Sequence, residues 1–368
     1  MTVYVKSCMA YIQILLEFGF LLSATKEIVL AGDDKHLMSN IYGSVIYAKL
    51  VLSFAALLIV CGMMIFMDIL RGFEVYVMIS FAAVVINALL PDFLFRGLNR
   101  MHEITSRFVV CKAVSTGLTL LLIKSDSNLL LIPVFDLASS ILAAILSFMR
   151  IRRLGIHIHI GKLKTALKRL GSSAVYFVSS AATTTFGALN TIVVGSLFGS
   201  EQVAFWGLCM QIVNAAQSMY TPIMNGIYPY MVKIRDFRLI RNIMLIFMPL
   251  ILLACCGCWV WAEEIVTLVG GEKYIEAAGL LRSFIPLLIV SFPAQLFGWP
   301  SLGAINHEKE VTRGTLIAAA VQTMGIILLM AFDCFTLVVL AAVRSISELS
   351  MLIIRGSYSI KYREEFKG

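Results

Sequence analysis

Glu17 to Ile28 read EFGFLLSATKEI: an acid, an apolar run, then the pair Lys26–Glu27, all following the mostly apolar opening MTVYVKSCMAYIQILL. In a water-soluble protein this would be a core helix with a charged end. The rest of the chain excludes that reading. Of 368 residues, 60% are hydrophobic and 14% charged, with a mean hydropathy of +0.90, whereas soluble domains carry roughly 25% charged residues. Long apolar runs recur along the whole chain, the signature of many bilayer-crossing helices. The fold class is therefore an all-α polytopic membrane protein.

A crossing needs about 20 mainly apolar residues. Eleven runs qualify: 3–24, 42–67, 75–95, 104–123, 128–149, 172–194, 203–229, 240–261, 279–299, 313–331 and 334–354. Alternate connections hold twenty-three Lys and Arg on one side, among them Lys26, Lys49, Arg107 and, in the C-terminal tail, Arg355, and four on the other, the four being Lys6, Arg71, Lys124 and Lys273. The basic side is cytoplasmic by the positive-inside rule, which puts the C-terminus inside and the N-terminus outside. No basic n-region or small-residue cleavage site marks a signal peptide. Two readings follow: the first span inserts with its N-terminus outward, or a leading span is missing. Twelve spans would divide into two six-helix lobes, as in transporters built from repeats. The basic connection MRIRRLGIHIHIGKLKTALKRL (149–170) is the natural divider. It separates a five-span lobe at 1–155 and a connector at 156–170 from a six-span lobe at 171–368. From Gly161 the connector reads as an amphipathic interfacial helix, with Leu163, Leu167 and Leu170 among Lys and Arg. His157 and His159 alone make no metal site.

The eight cysteines lie nearly all within apolar runs and read as packing residues. The net charge of +8 resides in short loops, where it serves topology and anionic headgroups rather than nucleic acid. There is no phosphate loop, no HExxH and no GxSxG, so no enzyme chemistry and no cofactor or metal is expected.

Ionisable groups in hydrocarbon need a partner, a cavity or the headgroup layer. Glu17, Lys112, Asp136 and Arg344 fall near span centres, and Arg282 and Glu348 nearer span ends. Asp92 and Arg96 follow Pro91. Snorkelling accounts for Asp92, Arg96 and Lys49 as readily as function does, while Lys112, Asp136 and Arg344 point to a polar interior. The sixth span carries SSAATTT and Asn190. The seventh carries Gln202, Gln211, Asn214, Gln217 and Asn225, with Pro222 and Pro229. Small and hydroxylated residues pack helices closely or line a wet path, and the prolines allow bending.

EFGFLLSATKEI closely resembles the "DYGF-LSATKEI" segment of Wzx-type O-antigen and polysaccharide flippases, members of the multidrug/oligosaccharidyl-lipid/polysaccharide exporter superfamily. The likeness continues at Asp33, Asp34 and Lys35 and at YAKL (47–50). It resumes at PDFLFRGLNRM (91–101), where Asp92, Leu94 and Arg96 depart from the family pattern. IVNAAQSMYTPIMNGIYPY (212–230) and GEKYIEAAGLLR (271–282) extend it over the whole chain. The resemblance implies a MATE-like fold, normally of twelve helices in two bundles, with the first family helix absent here. It implies an inner-membrane protein that flips an undecaprenyl-pyrophosphate-linked oligosaccharide by alternating access, with an O-antigen polymerase and a chain-length regulator as partners. Within it, Lys26, Arg96, Lys112, Arg282 and Arg344 are candidates to meet the pyrophosphate, and Gln211, Asn214 and Gln217 the sugar. Glu17, Asp92 and Asp136 are candidates for charge pairing or ion coupling. The alternatives are a cation-coupled drug exporter of the same superfamily, an inactive truncated flippase, a polysaccharide polymerase or ligase, or a membrane scaffold. A polymerase or ligase would need a large extracytoplasmic loop, and none is present.

Overall fold

The structure, a computed structural model, describes residues 2–66, 72–122, 130–156, 163–332 and 335–366. The expectations for Arg71, Lys124, His157, His159, Gly161, Lys162 and Cys334 lie outside these residues. Every regular element among the described residues is helical. The chain divides into two compact units, Met1–Phe177 and Val178–Gly368.

The first unit holds α1 (Thr2–Glu17), α2 (Phe20–Ala31), α3 (Lys35–Phe66), α4 (Glu74–Leu89), α5 (Asp92–Gly97), α6 (Met101–Leu122) and α7 (Leu131–Arg153). Helix α8 (Leu163–Leu197) begins there and ends in the second unit. The second continues with α9 (Ser200–Ser218), α10 (Tyr220–Ile234), α11 (Phe237–Val260), α12 (Ala262–Gly270), α13 (Ala278–Ser283), α14 (Ile285–Leu296), α15 (Glu308–Ala331) and α16 (Leu337–Lys361). The amphipathic stretch around Leu167 and Leu170 is helical, and it runs without a break into the sixth expected span as the first turns of α8.

Eight helices among the described residues are long and apolar enough to cross a membrane: Lys35–Phe66, Glu74–Gly97, Leu131–Arg153, Thr165–Leu197, Phe237–Val260, Ile285–Ile305, Glu308–Ala331 and Leu337–Lys361. Their outward faces need lipid. Phe54 on α3 is 66% exposed and Leu253 on α11 is 72% exposed, and apolar surface of this extent is not stable against water. The three other expected spans are helical but irregular. The first is split into α1 and α2, and the seventh into α9 and α10 at Met219. Helix α6 is 22 residues long but carries Glu103, Arg107 and Lys112.

The split of the first span has a steric cause. Phe18 and Gly19 both adopt left-handed backbone, with φ of 42° and 71°, which ends one helix and starts another. A Cβ on Gly19 would lie 2.5 Å from Tyr176 Cβ and 2.8 Å from the Phe177 nitrogen. The Phe18 ring stacks on Phe177 with centroids 4.4 Å apart. Below this corner, the Ser23 and Ser173 hydroxyls share a 2.8 Å hydrogen bond and Arg169 donates to Glu27. Helix α2 is thus fastened to the start of α8 at three levels. Its other side packs on α5, where Phe20, Ile28, Phe93, Leu94 and Phe95 are buried in one cluster.

Because lipid and protein are equally apolar, such packing depends on close fit rather than on exclusion of water. A Cβ on Gly97 would meet Ile28 side-chain carbons at 2.5 and 2.6 Å. Gly97→Val is therefore expected to cost about 1–3 kcal/mol, read as a lower thermal unfolding midpoint in detergent. An unchanged midpoint would show that α2 and α5 do not meet there.

Candidate functional site

Within the first unit, α1, α4, α6 and α7 enclose a cavity of about 390 Å³ whose lining includes Gln13, Asn87, Arg107, Lys112, Asp136 and Ser140. Helical spacing explains why so many polar groups meet. On α7, Asp136, Ser140, Ala143, Ser147 and Arg150 recur every three or four residues, and on α6 so do Glu103, Arg107, Cys111 and Ser115. The two stripes face each other. Lys112 Nζ lies 3.6 Å from Asp136 Oδ1, and Ser115 donates to the same carboxylate oxygen at 3.1 Å. The Asn87 amide donates to Ser140 at 2.9 Å. Lys112 and Asp136 remain 59% and 38% exposed, so this pair is open to a ligand.

The pair nearer the end of the seam is closed. Arg107, 7% exposed, donates to Asp92 and to Ser147, each at 2.6 Å. Sequence reading placed Arg107 in a cytoplasmic connection and left Asp92 as a snorkelling candidate; the structure buries Arg107 and gives Asp92 to it. Lys49, also counted with the connections, is buried on α3. Its ammonium donates to the Ala88 carbonyl and stands 5.8 Å from the Phe93 ring centroid. Ala88 lies in the last turn of α4, where carbonyls lack helical donors, and Lys49 supplies one. Glu17 accepts from Gln13 at 3.1 Å and lies, with Asp92, within electrostatic range of Lys49 and Arg96. Arg96 is half-buried on α5 and Lys26 buried on α2. The first unit thus holds six of the sequence's candidates, Glu17, Lys26, Asp92, Arg96, Lys112 and Asp136, together with Lys49 and Arg107.

The remaining candidates sit in the second unit and form no such group. Gln211 and Asn214 are exposed and Gln217 half-buried along α9. Arg282 donates to the Trp259 carbonyl and to Glu263, both at 3.1 Å, at the corner between α11 and α12. Arg344 pairs with Glu348 at 3.3 Å, one turn along α16. The residue that sequence reading missed is Arg355, which was assigned to the C-terminal tail. It is buried on α16 and donates to the Ala294 carbonyl at 2.7 Å and the Thr315 hydroxyl at 2.9 Å. Helix α14 ends there, in a π-turn (Phe297–Ser301) kinked at Gly298. A Cβ on Gly298 would lie 2.9 Å from the Arg355 guanidinium. Thr315 also shares a hydrogen bond with Ser179 at 3.2 Å, and Gln322 donates to Asn190 at 2.6 Å. Among the described residues, no three His, Cys, Asp or Glu side chains are arranged to hold a metal ion.

Residues 3–235 match the model of a family described as polysaccharide biosynthesis protein. The chain belongs to that family. Two curated relatives share a name with each other, "Putative O-antigen transporter". The one from Escherichia coli (strain K12) is 24% identical over 340 residues, spanning 88% of this chain and 80% of the relative. The one from Shigella dysenteriae is 21% identical over 325 residues, spanning 87% and 81%. Among solved structures, a mutant of a Vibrio cholerae MATE transporter superposes with a TM-score of 0.81 at 14% identity, over 99% of this chain and 87% of that one. A MATE structure in a straight conformation gives 0.80 at 12% identity, over 99% and 88%. This member of the polysaccharide biosynthesis family therefore has the MATE fold and is a multi-pass membrane protein.

Removing one partner of a buried ion pair leaves the other uncompensated. Because Asp92 is 29% exposed, Asp92→Ala is expected to cost about 2 kcal/mol, less than a fully buried pair would lose. The double variant Asp92→Ala/Arg107→Met should recover most of it in detergent melting curves. Additive losses would show that the two side chains do not stabilise each other.

Proposed function

We propose that this protein is a flippase for a polyprenyl-pyrophosphate-linked oligosaccharide, an O-antigen unit or a relative of one, moving it across the bacterial inner membrane by alternating access. Family membership and the MATE fold support the class of protein. The observation that carries the reading furthest is the cavity holding Lys112 and Asp136, where several polar side chains converge between helices that are otherwise apolar. Asn87, Ser140, Asp136 and Lys112 supply donors and acceptors of the kind sugar hydroxyls need, beside an apolar wall that includes Met9, Val84 and Phe108.

In this proposal the chain crosses the membrane eleven times, counting the split first and seventh spans and α6. Lys26, Lys49, Arg107 and Arg355 are buried in helices. Without them the basic side still holds nineteen Lys and Arg against four, which supports a cytoplasmic C-terminus. Lys26, Arg96, Lys112, Arg282 and Arg344 would meet the pyrophosphate, with Lys112, Arg282 and Arg344 exchanging Asp136, Glu263 and Glu348 for it. Gln211, Asn214 and Gln217 would contact sugar, and Glu17, Asp92 and Asp136 would balance the cations as the protein rocks. An O-antigen polymerase and a chain-length regulator would act on the exported unit.

The test is complementation of cells lacking their own O-antigen flippase, read as the lipopolysaccharide ladder. The chain should restore the ladder in a host with a matching repeat. Lys112→Gln should weaken it by about tenfold, the factor set by one charge-assisted hydrogen bond. A folded, membrane-inserted product that restores no ladder across hosts of different repeats would overturn the proposal.

A further inference from the structure

The α6–α7 seam contains a second cavity, of about 230 Å³, lined by Phe95, Glu103, Ser106, Arg107, Ser147 and Arg150 among others. Its residues lie toward the N-terminus of α6 and the C-terminus of α7. Those of the larger cavity lie further along both helices, at Cys111 and Lys112 and at Pro133 to Ala143. The two chambers therefore succeed one another along the seam. One side chain lines both, Arg107.

Arg107 is held across the seam by Asp92 on one side and Ser147 on the other. At the outer mouth, Arg150 pairs with Glu103 at 3.4 Å, and Arg150 is 55% exposed. Three cation–carboxylate pairs thus mark the route in sequence: Arg150–Glu103, Arg107–Asp92 and Lys112–Asp136. The cations of the outer and inner pairs are more than half exposed, whereas Arg107 is buried. These charged groups keep hydrogen-bonding capacity beyond their partners, which water can fill, and both chambers exceed by far the space one water needs.

We infer that the α6–α7 seam is an aqueous passage from the membrane surface at Glu103 to the Lys112–Asp136 pair, with Arg107 as its gate. The passage takes water and small hydrophilic solutes. When Arg107 keeps both partners, the inner chamber is cut off from that face. When it lets go of Ser147 or Asp92, the chambers join. Nothing in this depends on which lipid-linked molecule the protein carries.

Cys111 reports on the gate, because its side chain is buried one turn beyond Arg107 and lines the inner chamber. Ser106, in the outer chamber, supplies the control. The experiment uses the full chain in membrane vesicles, keeping Cys111 as its single cysteine, and measures modification by the membrane-impermeant reagent methanethiosulfonate ethyltrimethylammonium. The reagent is added at the face bearing the α6 N-terminus. Labelling should be slow in the parent. It should rise about tenfold or more in Arg107→Ala and in Ser147→Ala, the factor set by losing one hydrogen bond to a charged group. Ser147→Ala changes a single oxygen and guards against a misfolded arginine variant. With Cys111→Ser and Ser106→Cys, labelling from the same face should be fast and insensitive to either gate substitution. The passage is ruled out if Cys111 reacts equally in the parent and both variants while the Ser106→Cys thiol is labelled. It is equally ruled out if the Ser106→Cys thiol does not react from that face.

Discussion

Hydrocarbon offers an ionised side chain no hydration, so each one placed in a span must find a compensating group inside the protein. In this chain two kinds of compensation recur. Carboxylates take Arg107, Lys112 and Arg344. Carbonyls near the ends of helices take Lys49 and Arg355, on Ala88 and Ala294 respectively. The second kind has a common logic. A helix that stops within the membrane leaves carbonyls without donors and a partial negative charge at its C-terminus, and a cation from a neighbouring helix answers both. Broken helices and buried cations are therefore two halves of one arrangement.

That coupling explains what the sequence made legible. The membrane class and most of the spans followed from apolar length alone, because a crossing needs little besides hydrophobicity. The Asp136–Lys112 pairing was foreshadowed by two ionisable groups near span centres. Arg107, Lys49 and Arg355 were misplaced because each lies close to the end of an apolar run, where a snorkelling cation and a buried one look the same. The information that separates them is a spacing. Asp136, Ser140, Ser147 and Arg150 share one face of α7, and Glu103, Arg107, Cys111 and Ser115 share one face of α6. The contact of Arg355 with Ala294 could not be read that way, since a backbone carbonyl leaves no trace in residue type.

The low identity to solved MATE structures, 12–14% at TM-scores near 0.8, fits the same physics. Lipid-facing positions accept almost any apolar side chain, so sequence drifts there without cost to the fold. Closely packed contacts such as Gly19 against Tyr176, Gly97 against Ile28 and Gly298 against Arg355 leave far less freedom.

The three pairs along the α6–α7 seam also have an electrical consequence. A cation that shifts together with its carboxylate moves no net charge through the field across the membrane. A cation that shifts alone performs or absorbs about 2.3 kcal/mol for each 100 mV it traverses. While Arg107 stays with Asp92, the resting voltage of the cell neither drives nor resists movement of that part of the bundle. Once they part, the same arginine becomes a voltage-sensitive element, and the membrane potential acquires a direct lever on the protein.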